Sequence, residues 1–187
     1  MKVELKANGK SVQAEISEEQ LKETVLFEQL KRLGLIEERS RTGYERVKKG
    51  DVYYLVDIYN NIMRVTEYND QGDKQSYSTG NYYSDKIIAK NNARADRLLR
   101  QLRRWQAQND EPISVEDWNN ESKKKWFIIY SYSSEEMYAE YYYIMRLPNT
   151  IYFATKEKAE EAIEVFRDEL LWYFTEYVQR LDEVQNG

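Results

Sequence analysis

Hydrophobic and polar residues alternate in three parts of the chain, and this period of two predicts β-strands. The first part is a hairpin within residues 1–16, with a turn at Asn8 and Gly9. The second comprises "YERV", "DVYYLVDIY" and "IMRVTEY", with a turn at Asn60 and Asn61. The third is the pair "KKWFIIYSY" and "MYAEYYYIMRL". The alternation therefore predicts three groups of antiparallel strands.

Apolar residues at helical spacing predict three amphipathic helices between and after these strands. The first covers residues 18–33 and follows a capping box. The second is "KIIAKNNARADRLLRQLRRW", for which either Ser84 or Asp85 can serve as the N-cap. The third is capped at Thr155 and contains no Gly or Pro as far as Asn186, which predicts one long C-terminal helix.

The order of these elements predicts an α+β fold, with antiparallel strands covered on one side by helices. "YYSDKIIAKNNA" and "YFATKEKAEEAI" share a pattern in which Ala89 corresponds to Ala159. This similarity arises either from two degenerate copies of a strand-strand-helix unit or from a shared local pattern without shared ancestry. We predict an N-terminal hairpin and helix over residues 1–41, a first strand-strand-helix unit over 42–109 and a second over 110–187, after the acidic spacer "NDEPISVEDWNNES".

The second predicted helix carries opposite chemistry on its two sides. Six cations fall within an arc of about 120° when residues are spaced at about 100°: Lys86, Lys90, Arg94, Arg97, Arg100 and Arg104. The apolar residues lie nearly opposite: Ile88, Ala95, Leu98, Leu99 and Leu102. Trp105 stands at the border between the two sides, where its ring could stack on a base. The pattern predicts one buried side and one cationic side.

The last predicted helix has the reverse charge. Its apolar stripe is formed by Ala159, Ile163, Phe166, Leu170, Phe174, Tyr177, Leu181 and Val184. The candidate partner-binding acids lie elsewhere on the helix: Glu157, Glu160, Glu161, Glu164 and Asp168. Four acids of the spacer add to this row: Glu111, Glu116, Asp117 and Glu121. Such rows either mimic the phosphates of a nucleic acid or keep a small protein in solution.

Composition narrows the chemistry that the chain can perform. It has no Cys and no His, so it lacks thiol nucleophiles, disulfides, the commonest general base and the commonest transition-metal ligand. "NDQGDKQS" at 69–76 is predicted to be a polar loop, and "NDQGD" within it lacks the distal Glu of a calcium loop and is predicted to be a plain turn. We therefore expect a protein that is not an enzyme and that has neither a cofactor nor a metal site.

The chain also lacks the apolar runs of a signal peptide or a membrane-spanning helix, which predicts a cytoplasmic protein with no membrane partner. Its formal net charge is -5, and 17 of its 187 residues are tyrosine. Tyrosine combines a large contact area with a polar tip, which suits both cores and binding surfaces.

Several segments together resemble a known group of proteins. These are "TGYERVKKGDVYYLVD", "GNYYSDKIIA", the spacer with Asp117 and Trp118, "KKWFIIY" and "IYFATKEKAEEAIEVF". They resemble small accessory proteins of phages, prophages and other mobile elements of Gram-positive bacteria. The resemblance covers residues from about 42 to the end and rests on aromatic and turn spacing. It implies an anti-defence role, including anti-CRISPR inhibition, or regulation of host nucleic-acid machinery, but it assigns no site residues.

Three functional hypotheses follow. The first is a non-enzymatic inhibitor in the bacterial host, whose acidic and aromatic surface binds a nucleic-acid-handling or defence protein such as a CRISPR effector. The second is direct DNA or RNA binding through the second predicted helix, using Lys90, Arg94, Arg97, Arg100, Arg104 and Trp105. The third is a homodimer in which the basic and acidic helices of two copies pair.

Overall fold

The structure is a computed structural model that describes residues 2–7, 10–15, 17 and 41–183. It divides into two compact units, Met1–Ser40 and Arg41–Gly187. The predicted boundaries at 41/42 and 109/110 stay predictions.

Two antiparallel strands form the described part of the first unit. Strand β1 (Lys2–Ala7) pairs with β2 (Lys10–Glu15), and Ala7 lies opposite Lys10. The two predicted strands are therefore confirmed. The predicted turn at Asn8 and Gly9 and the predicted helix over 18–33 lie outside the described residues.

The second unit contains two hairpins and five helices among its described residues. In chain order, its elements are β3 (Val52–Val56), β4 (Ile62–Thr66), α1 (Gln71–Ser78), α2 (Lys86–Asn109), α3 (Val115–Asn119), β5 (Lys125–Ser131), β6 (Glu136–Tyr142), α4 (Lys156–Val165), α5 (Arg167–Thr175) and a 3-10 turn (Leu181–Glu183). Among the described strands, β3 pairs with β4 and β5 pairs with β6, both in antiparallel register. The predicted α+β class is confirmed.

The two hairpins are followed by helices in the same way. Tyr83 exchanges two backbone hydrogen bonds with Tyr54 of β3, at 2.8 and 2.9 Å. Phe153 exchanges two with Trp126 of β5, at 2.7 and 3.0 Å. In both cases the next helix begins three residues later, and an alanine in its first turns is fully buried, Ala89 in α2 and its predicted equivalent in α4.

Helix α2 connects the two hairpins because it contributes to two hydrophobic clusters. Its N-terminal part packs with Tyr83 and the β3–β4 hairpin through Ile88 and Ala89. Its C-terminal part belongs to the larger cluster, which contains Leu98, Leu102, Ala139, Phe153, Ala159, Ala162 and Leu170. The predicted apolar side of this helix is buried except for Leu99, which is half-buried. This packing directs the opposite, cationic side outward.

The predictions for residues 44–47 and 69–76 were wrong. "YERV" forms no strand. The segment "NDQGDKQS", predicted as a loop, instead begins helix α1. Asp70 caps this helix, and Asp73 completes a reciprocal capping box. Sequence patterning missed α1 because the helix is short and polar, so that no apolar stripe marks it.

The prediction of one long C-terminal helix was also wrong. The helix breaks at Phe166, whose backbone (φ -114°, ψ 19°) is not helical, and α5 ends at Thr175. Leu170 and Trp172 are both buried although they lie on nearly opposite sides of α5. A single amphipathic stripe does not permit burial on two sides. Val184, the last predicted member of the stripe, lies outside the described residues.

Among the helices of the described segments, none combines the length and apolar character needed to cross a bilayer.

Candidate functional site

Four of the five predicted acids converge on one groove between α4 and β6. The buried side of α4 carries Ala159, Ala162 and Ile163. Docking this side places the acidic positions along the second hairpin. The groove has a volume of about 480 Å³ and is lined by Met137, Tyr138, Glu157, Glu160, Glu161, Ile163, Glu164 and Arg167.

The fifth predicted acid, Asp168, lines an adjoining groove of about 440 Å³. This groove shares Met137 and Arg167 with the first, and its other lining residues are Tyr130, Glu135, Glu136 and Leu171. Glu135 and Glu136 are not among the predicted acids, because nothing in the sequence links the β5–β6 turn to the C-terminal helices. We refer to the two adjoining grooves together as the acidic groove.

Cations of the same helices pair with three of the acids in the acidic groove. Lys156 lies 3.0 Å from Glu160, Lys158 lies 2.7 Å from Glu161, and Arg167 pairs with Glu164. Exposed pairs of this kind contribute about 0–1 kcal/mol each, so they exchange partners readily. Seven carboxylates and one guanidinium line the acidic groove, which leaves its surface strongly negative.

The acidic groove also offers apolar contact. The side chains of Tyr138 and Leu171 are 42% and 41% exposed, and Met137 is half-buried between the two grooves. In the described strands β6 pairs only with β5, so its outer edge is unpaired. The surface thus combines carboxylates, an aromatic ring and an open strand edge, a combination that suits protein recognition.

The acids of the spacer do not line the acidic groove. Asp117 completes the capping box of α3 with Ser114 and forms an ion pair of 2.7 Å with Lys123. The Lys123 ammonium is the main reason that the pKa of Asp117 is below its ordinary value. Glu111, Glu116 and Glu121 are exposed. The predicted extension of the acidic row into the spacer is therefore not part of this site.

The cationic side of α2 forms the second charged surface. Its exposed members are Lys86, Lys90, Arg97, Arg100 and Arg104, and Arg103 is exposed beside them. Among the described parts of the chain none of these six forms an ion pair. Four of the six predicted cations, Lys86, Lys90, Arg97 and Arg104, are therefore available to an outside ligand within the described residues, whereas Arg100 donates a hydrogen bond to Asn60.

Arg94 and Trp105 differ from the other predicted members of this surface. Arg94 Nε lies 2.9 Å from Glu169 Oε2, and its guanidinium carbon is 3.9 Å from the centre of the Trp172 ring. The Trp105 ring is half-buried and packs edge-on against Phe153, with the ring centres 6.2 Å apart. Arg94 is therefore already paired within its own chain, and only part of the Trp105 ring remains exposed for an outside contact.

The described residues contain no group of three acidic side chains that could hold a metal ion. In the segment "NDQGD", Asp70 caps α1, while Asp73 is buried and accepts a hydrogen bond of 3.0 Å from the Tyr53 hydroxyl. These two carboxylates have structural partners.

Comparison with protein-family models, with curated protein sequences and with solved structures gives no match.

Proposed function

We propose that the protein is a non-enzymatic binding protein whose acidic groove takes a basic segment of a partner protein. The observation that carries this proposal is the convergence of seven carboxylates from residues 135–136 and 157–168 on one concave surface. Concave walls of one charge focus the field and favour a partner of the opposite charge. Tyr138 and Leu171 supply the apolar contacts that charge alone does not.

Basic segments are typical of proteins that bind nucleic acid. A partner that uses such a segment to hold phosphates would lose that contact when the segment lies in the acidic groove. This competition supports the proposal of an inhibitor that acts on a nucleic-acid-handling or defence protein, such as a CRISPR effector, in the cytoplasm of a bacterial host. The anti-defence context comes from the resemblance to accessory proteins of mobile elements.

The experiment compares charge-neutral variants in a binding assay. Glu157→Gln, Glu160→Gln, Glu161→Gln and Glu164→Gln are combined, and binding of a fluorescein-labelled nona-arginine peptide is followed by fluorescence anisotropy. Four exposed charge contacts at about 0.3–1 kcal/mol each predict a loss of affinity of about 8-fold or more. Gln keeps the size of Glu and its helix propensity, so circular dichroism is expected to stay unchanged.

The matched control removes three exposed acids outside the acidic groove, Asp51→Asn, Glu111→Gln and Glu121→Gln. This control is expected to bind the peptide within threefold of the unmodified protein. Equal losses in both variants would indicate general attraction by net charge and would contradict the proposal. Unchanged binding by the fourfold variant would contradict it as well.

A further inference from the structure

The tip of the first hairpin exposes two large apolar side chains. Ile58 is 91% exposed and Tyr59 is 80% exposed. Full exposure of an isoleucine forgoes about 1.5–3 kcal/mol of burial free energy, and here a tyrosine stands beside it. Neighbouring exposed apolar side chains on one turn are typical of a contact surface rather than of a solvated loop.

Hydrogen bonds fix the conformation of this tip. The Asp57 carboxylate accepts bonds from the backbone N–H groups of Tyr59 (2.8 Å) and Asn61 (2.7 Å), and from the Asn61 amide (3.1 Å). The bonds from Asn61 are the main reason that the pKa of Asp57 is below its ordinary value. Asn60 adopts the left-handed conformation, with φ 70°, that the turn requires. The exposed side chains therefore stand on a pre-organised turn.

The same tip is fastened to the cationic side of α2. The Asn60 amide donates a hydrogen bond of 3.0 Å to the Ala93 carbonyl, and Arg100 donates one to the Asn60 side-chain oxygen. Ala93 and Arg100 lie about two turns apart on the helix, beside the row formed by Lys90, Arg97 and Arg104. Asn60, the sequence neighbour of Tyr59, is thus bonded to the same helix that carries this row.

Some cations of the described residues form ion pairs, whereas the row on α2, like Lys48, Lys49 and Arg64, forms none. Arg46, Lys123, Arg167 and Arg180 each form an ion pair of their own. Lys90, Arg97 and Arg104 form none within the described segments, although they extend along about 21 Å of helix. A row of unpaired cations beside an exposed aromatic ring is the arrangement that holds a phosphate backbone and stacks on a base.

The elements packed on both sides of α2 determine whether a duplex or only a single strand can reach its cationic side. The hairpin tip covers one flank through Asn60, and α5 covers the other through the contact of Arg94 with Glu169 and Trp172. A major groove about 12 Å wide admits one bare helix of about 10–12 Å diameter. With both flanks occupied α2 does not enter such a groove, whereas an unpaired base reaches Tyr59 from outside.

We propose that the cationic side of α2 and the hairpin tip form a binding surface for single-stranded nucleic acid. Lys90, Arg97 and Arg104 contact phosphates, and Tyr59 stacks on one base. This surface shares no residue with the acidic groove, so the two proposed functions can be tested independently.

Fluorescence anisotropy with labelled dT20, labelled U20 and a labelled 20-base-pair duplex DNA tests this proposal. The full chain is expected to bind one or both single strands more tightly than the duplex, and the two single-stranded probes show which sugar is preferred. Tyr59→Ala is expected to weaken single-strand binding by about 5-fold to 150-fold, the loss expected for one stacked base. Tyr59→Phe keeps the ring and is expected to bind like the unmodified protein.

Salt dependence tests the phosphate contacts. Each phosphate neutralised on a single strand contributes about 0.7 to the slope of log affinity against log salt concentration. Arg97→Gln combined with Arg104→Gln is therefore expected to reduce that slope by about 1.4. Lys48→Gln combined with Lys49→Gln, at two exposed lysines away from α2, is expected to leave the slope unchanged.

Tyr132→Ala provides the matched control for the aromatic ring, because Tyr132 is 74% exposed at the turn of the second hairpin. It is expected to bind single strands normally.

Absence of binding to dT20 and U20, equal or tighter binding of the duplex, or unchanged binding by Tyr59→Ala would each overturn the proposal. Tighter binding of a labelled deca-glutamate peptide than of dT20 would assign the surface to an acidic protein instead. Circular dichroism checks that every variant is folded.

Discussion

Several carboxylates that appear in the sequence only as negative charges accept hydrogen bonds that stabilise the fold. Glu67 is 1% exposed, and its carboxylate accepts hydrogen bonds from the Tyr82 hydroxyl at 2.8 Å and from Arg46 at 3.0 Å. A buried carboxylate requires such partners, because an unpaired charge away from water costs several kcal/mol. Sequence patterning did not identify this network, since Glu67 and Arg46 are separated by 21 residues.

The pH dependence of thermal stability tests the contribution of another hydrogen-bonded carboxylate, that of Glu45. The Glu45 side chain is exposed, and although some desolvation raises its pKa, hydrogen bonds from Thr42 and Ser84 outweigh this and lower the pKa to about 2. A lowered pKa stabilises the fold above the ordinary pKa of 4.5, and the contribution is lost as the pH falls toward 2. Glu45→Gln is therefore expected to lower the melting temperature by about 3 °C at pH 6, after allowing for solvent exposure.

At pH 2 the melting temperatures of Glu45→Gln and the unmodified protein are expected to converge. Melting curves by circular dichroism between pH 6 and pH 2 measure both effects. Glu121→Gln is the control at an exposed glutamate, and its melting temperature is expected to follow that of the unmodified protein throughout. A constant difference for Glu45→Gln across the whole range would contradict the assigned pKa.

At the scale of elements, local patterns were sufficient to predict the strands and helices whose formation depends on neighbours in sequence. The alternating residues of β3–β4 and β5–β6 form the predicted hairpins, and the apolar stripe of α2 is buried as expected. Short-range steric preferences and the period of side-chain burial decide these elements. Helix α1 and the break at Phe166 depend instead on capping and on tertiary packing, which the apolar pattern does not encode.

The N-cap of α2 yields a prediction at this scale, because the sequence allowed Ser84 or Asp85. The Asp85 side chain accepts hydrogen bonds from the backbone N–H groups of Ile87 (2.7 Å) and Ile88 (3.1 Å). Asp85→Ala is expected to lower the free energy of unfolding by about 1 kcal/mol, measured by urea denaturation. Ser84→Ala removes only a bond to Glu45 and is expected to cost about half as much. A larger effect of Ser84→Ala would contradict this assignment of the cap.

At the scale of the whole molecule, the two charged surfaces raise the question of self-association. In the second unit the cationic side of α2 and the acidic groove are both exposed. Exposed ion pairs contribute about 0–1 kcal/mol each, whereas association costs about 4–15 kcal/mol in lost freedom of motion. We therefore expect that charge pairing between two copies does not by itself hold a stable dimer.

Multi-angle light scattering at low and high salt tests this conclusion. A mass of 22.5 kDa is expected at both salt concentrations. Twice that mass at low salt, returning to 22.5 kDa at high salt, would show that the two charged surfaces cover each other. That result would support the homodimer hypothesis and would leave less surface for outside partners.

The amino-acid sequence by itself determined the α+β class, the two hairpins and the opposite charges of α2 and α4, because these features follow from periodicity and local sterics. Only the tertiary structure decided that Arg94 contacts Trp172 and Glu169, while Arg97 forms no ion pair within the residues that the structure describes. It also brought Glu135 into one groove with Arg167 and Asp168 of α5, and it bonded Asn60 of the first hairpin to α2. These contacts join residues far apart in the chain, and their formation depends on how hydrophobic cores pack, which no local pattern specifies.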